Sequence, residues 1–208
     1  VFGLTAASVG RNEKQLKKSG AAYFKEYAFP FSHATYYLGA AQMTLKLLFA
    51  PDGSILGAQG VGAENVEKQI DVISAAMKFG GKVSDLAELE LCYAPPFNSA
   101  KSPVNMLGFI ACNVLDGLMN VVSPAEVGEG DFVLDVRTPS EYAAGHIADS
   151  VYIPLDELRA RSVELPTATP ILVPCAVGLR HSIPCRLLAG LSPLHLRRFL
   201  RQPFSLSL

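Results

Sequence analysis

Ile171-Leu-Val-Pro-Cys175-Ala-Val-Gly-Leu-Arg180 is the stretch on which the reading of this 208-residue chain turns. Ile171 to Val173 have the composition of a buried strand, and the residues from about His181 onward read as a helix. The segment between them is therefore a strand-to-helix loop made of Cys175, Ala176, Val177, Gly178, Leu179 and Arg180. Such a loop turns its backbone N–H groups toward a common centre, and the positive end of the following helix adds to the field. An anionic sulfur at its base is stabilised, so Cys175 reads as a thiolate nucleophile at neutral pH. Gly178 lets the loop turn without a Cβ clash, and Arg180 sets a permanent cation beside an anionic substrate or a persulfide. The plainer reading of Cys175 is a small core residue at the end of a strand.

Upstream of this loop the pattern alternates strand and helix: Phe132 to Val136, Pro139 to Ala144, Val151 to Leu155, a helix over DELRAR from Asp156 to Arg161, and then Ile171 to Pro174. That alternation predicts an α/β fold with a mainly parallel sheet. The first half differs. A strand over Leu4 to Val9 leads to a helix opened by Asn12 with Gln15 and stopped by Gly20. A further strand spans Ala22 to Phe29, and two apolar runs between Met43 and Val61 flank Pro51-Asp52-Gly53-Ser54, the chemistry of a hairpin turn. Val66, Ile70, Ile73 and Met77 share one helical face, ended by Gly80-Gly81. Ser102-Pro103 opens another helix, with Met106, Ile110, Val114 and Leu118 as its apolar stripe and Gly108 as a point of close packing. The expected class is α+β, an antiparallel sheet with helices on one side, joined to a small α/β domain. The run Ser123 to Asp131 places the division between 1–122 and 123–208.

Composition removes several function classes. Lys and Arg total 18 against 19 Asp and Glu, and they are dispersed, so there is no footprint for nucleic acid or for an anionic membrane surface. Every long apolar stretch is interrupted, which excludes a membrane span, and the start has no secretory pattern. The missing initiator Met, with an opening that resembles the middle of a strand, leads to the expectation of a piece of something longer, with processing as the plainer alternative. Cys92, Cys112, Cys175 and Cys185 form no C-x-x-C pair, so no metal site is expected and a reducing cytoplasm is the expected setting. Cys92, Cys112 and Cys185 read as buried, inert thiols. Gly57, Gly60 and Gly62 follow a hairpin strand and lack the order of a dinucleotide loop.

The loop, with Asp135-Val-Arg137, Glu141-Tyr142 and Gly145-His146-Ile147, resembles the rhodanese domains. That resemblance implies a sulfane sulfur carried as a persulfide on Cys175 and passed to an acceptor, with Asp135, Arg137 and His146 as scaffold. The four residues between Cys175 and Arg180, against five in the analogous phosphatase loop, favour a sulfur-sized cradle. TAASVGRNE, the hairpin ending ILGAQGVG and the helix VEKQIDVISAAMKFG resemble the dimerisation domain of pyridine nucleotide-disulfide oxidoreductases. Glu90-Leu-Cys-Tyr93-Ala-Pro-Pro-Phe97 with Ser99-Ala-Lys101-Ser-Pro103 is similar to the coenzyme A-disulfide reductase branch, which includes persulfide reductases.

The joint resemblance implies a homodimer acting on coenzyme A disulfide, persulfide or polysulfide. FAD and NAD(P)H would be bound by domains upstream, and neither tightly by this chain alone. It also implies that Tyr93 and Tyr36 (taken over Tyr37) reach the partner subunit's active site. After Gly190 the tail SPLHLRRFLRQPFSLSL departs from the rhodanese pattern, so a closing strand is expected to be missing and a sheet edge open. The competing reading is a non-catalytic dimerisation module with an inactive second half.

Overall fold

A computed structural model describes residues 3–118, 120–122, 128, 130–166, 169, 171–175 and 197–201. It divides into two compact units, Val1–Leu115 and Asp116–Leu208.

The first unit is built on an antiparallel sheet of β1 (Thr5–Gly10), β2 (Phe24–Ala28), β3 (Met43–Phe49) and β4 (Ile55–Gly62), in the order β1-β4-β3-β2. The β3–β4 hairpin forms where its turn chemistry predicts. The Asp52 carboxylate accepts from the Ser54 N–H at 3.0 Å and the Ser54 hydroxyl at 2.8 Å, and Gly53 takes a φ of +86° that a side chain would resist. Helix α1 (Glu13–Ser19) opens with the expected reciprocal cap, in which Asn12 Oδ1 accepts from the Gln15 N–H at 3.0 Å and Gln15 Oε1 from the Asn12 N–H at 2.9 Å. Helix α2 (Val66–Lys78) buries Val66, Ile70 and Ile73 on the predicted face. It lies close on β4, because a Cβ on Gly60 would stand 2.8 Å from Val66 Cγ1 and 2.9 Å from Leu45 Cδ2.

Helix α4 (Pro103–Leu115) begins as expected, with the Ser102 hydroxyl accepting from the Asn105 N–H at 3.1 Å. Its buried face differs from the predicted stripe. Val104, Leu107, Gly108, Ile110 and Ala111 are buried, whereas Met106 and Val114 are only half-buried. The cause is contact with α3 (Val83–Glu88): a Cβ on Gly108 would lie 2.4 Å from the Ala87 nitrogen, so the glycine side of α4 turns toward α3. Asn105 fastens the same contact by donating to the Leu86 and Leu89 carbonyls, both at 3.0 Å.

The second unit holds a parallel sheet ordered β5-β9-β8-β6-β7, from β5 (Asn120–Val122), β6 (Phe132–Asp135), β7 (Val151–Tyr152), β8 (Ile171–Cys175) and β9 (Arg197–Arg201). Leu134, Ile171 and Val173 pack on one face with Ile153, Leu158 and Leu165, while Val133 and Leu172 face the other way, so the central strands are apolar on both sides. Three expectations need correction. β5, expected in the first domain, pairs with β9 in the second sheet. The DELRAR segment forms no α-helix; it runs as turns into a 3₁₀ turn at Ser162–Glu164, with bonds such as Leu158 N–H to the Leu155 carbonyl spanning three residues. The sheet is not left open beside β8, because β9, from the tail read as foreign, pairs with β8 from Ile171 to Cys175.

Candidate functional site

Two loops of the first unit meet at their tips. The first is closed at its base by the Ser32 N–H donating to the Ala41 carbonyl at 2.8 Å and the Ala41 N–H donating to the Ser32 hydroxyl at 3.1 Å. Thr35 to Gly39 project from it exposed. The second contains Tyr93 to Asn98 and folds back on itself through Phe97 N–H to the Ala94 carbonyl at 2.9 Å. Asn98, only 1 % exposed and hence unable to turn to water, donates to the Cys92 carbonyl at 3.1 Å. Its own carbonyl accepts from the Ala34 N–H at 3.1 Å, which ties the loops together.

The result is a short hydrogen bond, 2.5 Å, between the hydroxyls of Tyr36 and Tyr93. Both side chains remain open to solvent, Tyr36 the more so. The bond to Tyr93 raises the Tyr36 phenol above its ordinary value, since a partner on the neutral phenol disfavours its ionisation. Whichever phenol donates, the accepting one keeps its own O–H free to point outward, polarised by the bond behind it. The pair can therefore present one proton to an anionic leaving group.

Leu38 is 94 % exposed and Phe97 66 %, so each of the two loops also presents an apolar side chain to solvent. Lys101, on the same segment, sits over the Phe109 ring at 5.6 Å. Cys92, expected to be buried, is exposed, and Cys112 is half-buried. Among the described residues no group of His, Cys, Asp or Glu is arranged to hold a metal ion.

In the second unit the last residue of β6, Asp135, is fully buried and grips Arg137. Nε lies 3.0 Å from both carboxylate oxygens and Nη2 lies 2.7 Å from Oδ2. The same Nη2 donates to the Gly145 carbonyl at 2.7 Å, so the pair locks the turn after α5 (Pro139–Ala143). Tyr142 stacks between His146 and Tyr152, with ring centroids 3.9 and 4.2 Å apart. These contacts are all internal, as a scaffold requires. Cys175 ends β8, a central strand, at the carboxyl side of the parallel sheet, where open α/β sheets place their ligand sites. Ala176, Val177, Gly178, Leu179, Arg180, Cys185 and the helix expected from His181 lie outside the described residues.

Comparison with known proteins assigns both units. Residues 1–103 match the family described as pyridine nucleotide-disulphide oxidoreductase, dimerisation domain, and residues 123–196 match the rhodanese-like domain. The chain is a pyridine nucleotide-disulphide oxidoreductase dimerisation domain followed by a rhodanese-like domain. It is similar to the reduced Bacillus anthracis protein CoADR-RHD, at 40 % identity and a TM-score of 0.90, over 96 % of this chain and 36 % of that one. It is likewise similar to an NAD-dependent persulfide reductase from A. fulgidus, at 38 % identity and a TM-score of 0.86, over 97 % of this chain and 37 % of that one. The coenzyme A disulfide reductase of Staphylococcus epidermidis is 36 % identical over 111 residues, which are 53 % of this chain and 25 % of the relative. The chain thus spans roughly a quarter to a third of the length of these relatives.

Within the dimerisation domain the structure brings Tyr36 and Tyr93 together across 57 positions of sequence, a contact that neither the spacing nor the resemblance, which named each tyrosine separately, had specified. It also supplies supports that were not anticipated: Asn98 beneath Tyr93, and Ser32 and Glu64 around His33. Asn98 carries one usable sequence signal, as a polar residue among Ala, Pro and Phe in a turn. The glycines of β4 serve packing, since a Cβ on Gly57 would meet the Arg11 carbonyl oxygen at 2.2 Å.

Proposed function

We propose that this chain completes the active site of a homodimeric, flavin- and NAD(P)H-dependent reductase of coenzyme A disulfide or persulfide, working in the cytoplasm. Its rhodanese-like domain carries sulfane sulfur on Cys175. The observation that carries the reading is the exposed Tyr36–Tyr93 pair on a domain whose family is named for dimerisation. An outward phenol on loops that also expose apolar side chains suits a site supplied by a second subunit, where it donates a proton to the thiolate released when a disulfide or persulfide bond is reduced. FAD and NAD(P)H are assigned to the part of the relatives that lies beyond this chain.

In the rhodanese-like domain, the Cys175 thiolate attacks the terminal sulfur of a sulfane donor, the donor's S–S bond breaks, and its remainder leaves as a thiolate, or as sulfite when the donor is thiosulfate. Cys175 then holds a persulfide. Arg180 balances that anion, and the division of labour between domains falls close to the expected 1–122 and 123–208, shifted so that β5 belongs to the second. In full-length protein, Tyr36→Phe and Tyr93→Phe are expected to lower kcat by about 100-fold or more, the usual worth of one positioned proton donor. Wild-type kcat in both would overturn the reductase role. Mass spectrometry after exposure to thiosulfate is expected to find one added sulfur on Cys175, lost in Cys175→Ser; an unlabelled Cys175 would leave the second domain as an interaction module.

A further inference from the structure

His33 lies inside the loop that carries Tyr36. It is 5 % exposed, too buried for a side chain that only decorates a loop. Its Nε2 stands 3.2 Å from the Leu38 carbonyl oxygen, and its ring packs edge-on against Tyr37 at 5.9 Å. The imidazole therefore spans the loop from base to tip and encloses Ala34 to Tyr37 in a closed turn. The backbone adds one more bond to that turn, from the Tyr37 N–H to the Ala34 carbonyl at 2.9 Å.

The partners fix the protonation pattern. A carbonyl oxygen only accepts, so Nε2 carries hydrogen. In the neutral ring Nδ1 is then an acceptor, and the Ser32 hydroxyl, 3.0 Å away, donates to it. The same hydroxyl oxygen receives the Ala41 N–H, which holds it in place. Glu64 Oε2, at 3.5 Å, is the second acceptor within reach of that hydroxyl.

We propose that His33 is a positioning residue, held as its Nε2–H tautomer by Ser32, that pins the turn bearing Tyr36 so that the Tyr36 hydroxyl meets Tyr93. This deepens the reading of those tyrosines as proton donors and rests on it. Tyr36 is exposed and bonded at its hydroxyl end alone, so the direction of its side chain is set by the turn beneath it. Displacing a reacting group by about 1 Å can cost up to about 100-fold in rate, and a loosened turn has that freedom.

The test compares His33→Leu, His33→Gln and Tyr36→Phe in full-length protein. The Leu variant fills the space without donating; the Gln amide can reach the Leu38 carbonyl. His33→Leu is expected to lower kcat by about tenfold with KM within about twofold, and His33→Gln to restore most of the loss. The Tyr36 phenol, followed by ultraviolet difference titration, is expected to fall toward its ordinary value in His33→Leu and to stay raised in His33→Gln. Nitrogen-15 spectra of wild-type protein are expected to show the Nε2–H tautomer. Wild-type kcat and an unmoved phenol in His33→Leu, with Tyr36→Phe impaired, would overturn the positioning role and leave the tyrosine reading intact. Wild-type kcat in Tyr36→Phe would remove the reading itself, and the phenol titration would then decide the placement of the turn. If His33→Leu does not fold, Ser32→Ala takes its place; an Nε2–H tautomer and a Tyr36 phenol both unchanged in that variant would overturn the proposal.

Discussion

Replacing Glu13 by Gln removes one charge from the first turn of α1 and leaves the shape almost unchanged. The Glu13 carboxylate gathers Lys46, Lys25 at 3.3 Å and the Tyr23 hydroxyl at 3.2 Å, fastening α1 to β2 and β3. Partial burial alone would raise its pKa, but the two ammonium groups outweigh that and hold it at about 2 instead of 4.5. A drop of that size corresponds to at most about 3 kcal/mol of folding stability. Lys25 is 36 % exposed and Glu13 itself 20 %, so solvent screens part of the attraction, and about 1–2 kcal/mol is expected to remain. Because the folded pKa lies below the unfolded one, this contribution is complete above about pH 4.5 and is lost as the pH falls toward 2. Urea unfolding of the wild type and Glu13→Gln across this range reads it directly. The difference in stability should be constant from pH 7 to about 5 and should vanish near pH 2. A difference independent of pH, or none at pH 7, would refute the assignment.

Two further perturbations test the supports of each domain. Gly108→Val should destabilise the first domain by about 2–3 kcal/mol, since even a Cβ would meet the Ala87 nitrogen at 2.4 Å; thermal unfolding measures it, and a neutral result would deny the close α3–α4 contact. Asp135→Ala removes the fully buried carboxylate that holds Arg137 and should cost about 3–5 kcal/mol, read as early loss of second-domain structure in urea.

What could be read in advance was local. The turn at Pro51 to Ser54, the Asn12–Gln15 cap and the Val66, Ile70, Ile73 face each follow from interactions within a few residues, and each formed where expected. Helix α4 is apolar nearly all round, so periodicity could not choose its buried face; Gly108 chose it through α3. The DELRAR segment has good helix formers, yet burial of Leu158 and Leu165 in the second core is met by turns. β9 was hidden because a parallel strand needs main-chain partners more than a recognisable side-chain pattern, and those partners, β5 and β8, are remote in sequence. At the site, Tyr36 and Tyr93 were reached through resemblance. Asn98 and Ser32 were not reached, because isolated polar residues in loops have no period to betray that they will be buried.

The central claim is that the phenols of one subunit serve the reactive centre of the other. A mixed dimer of the full-length protein decides it: one subunit carries Tyr36→Phe with Tyr93→Phe, and the other keeps its tyrosines but has the flavin centre proposed for the rest of the protein inactivated by mutation. Service across the dimer leaves one complete centre and predicts about half of wild-type turnover. Service within a subunit leaves none, and an inactive mixed dimer would contradict the account.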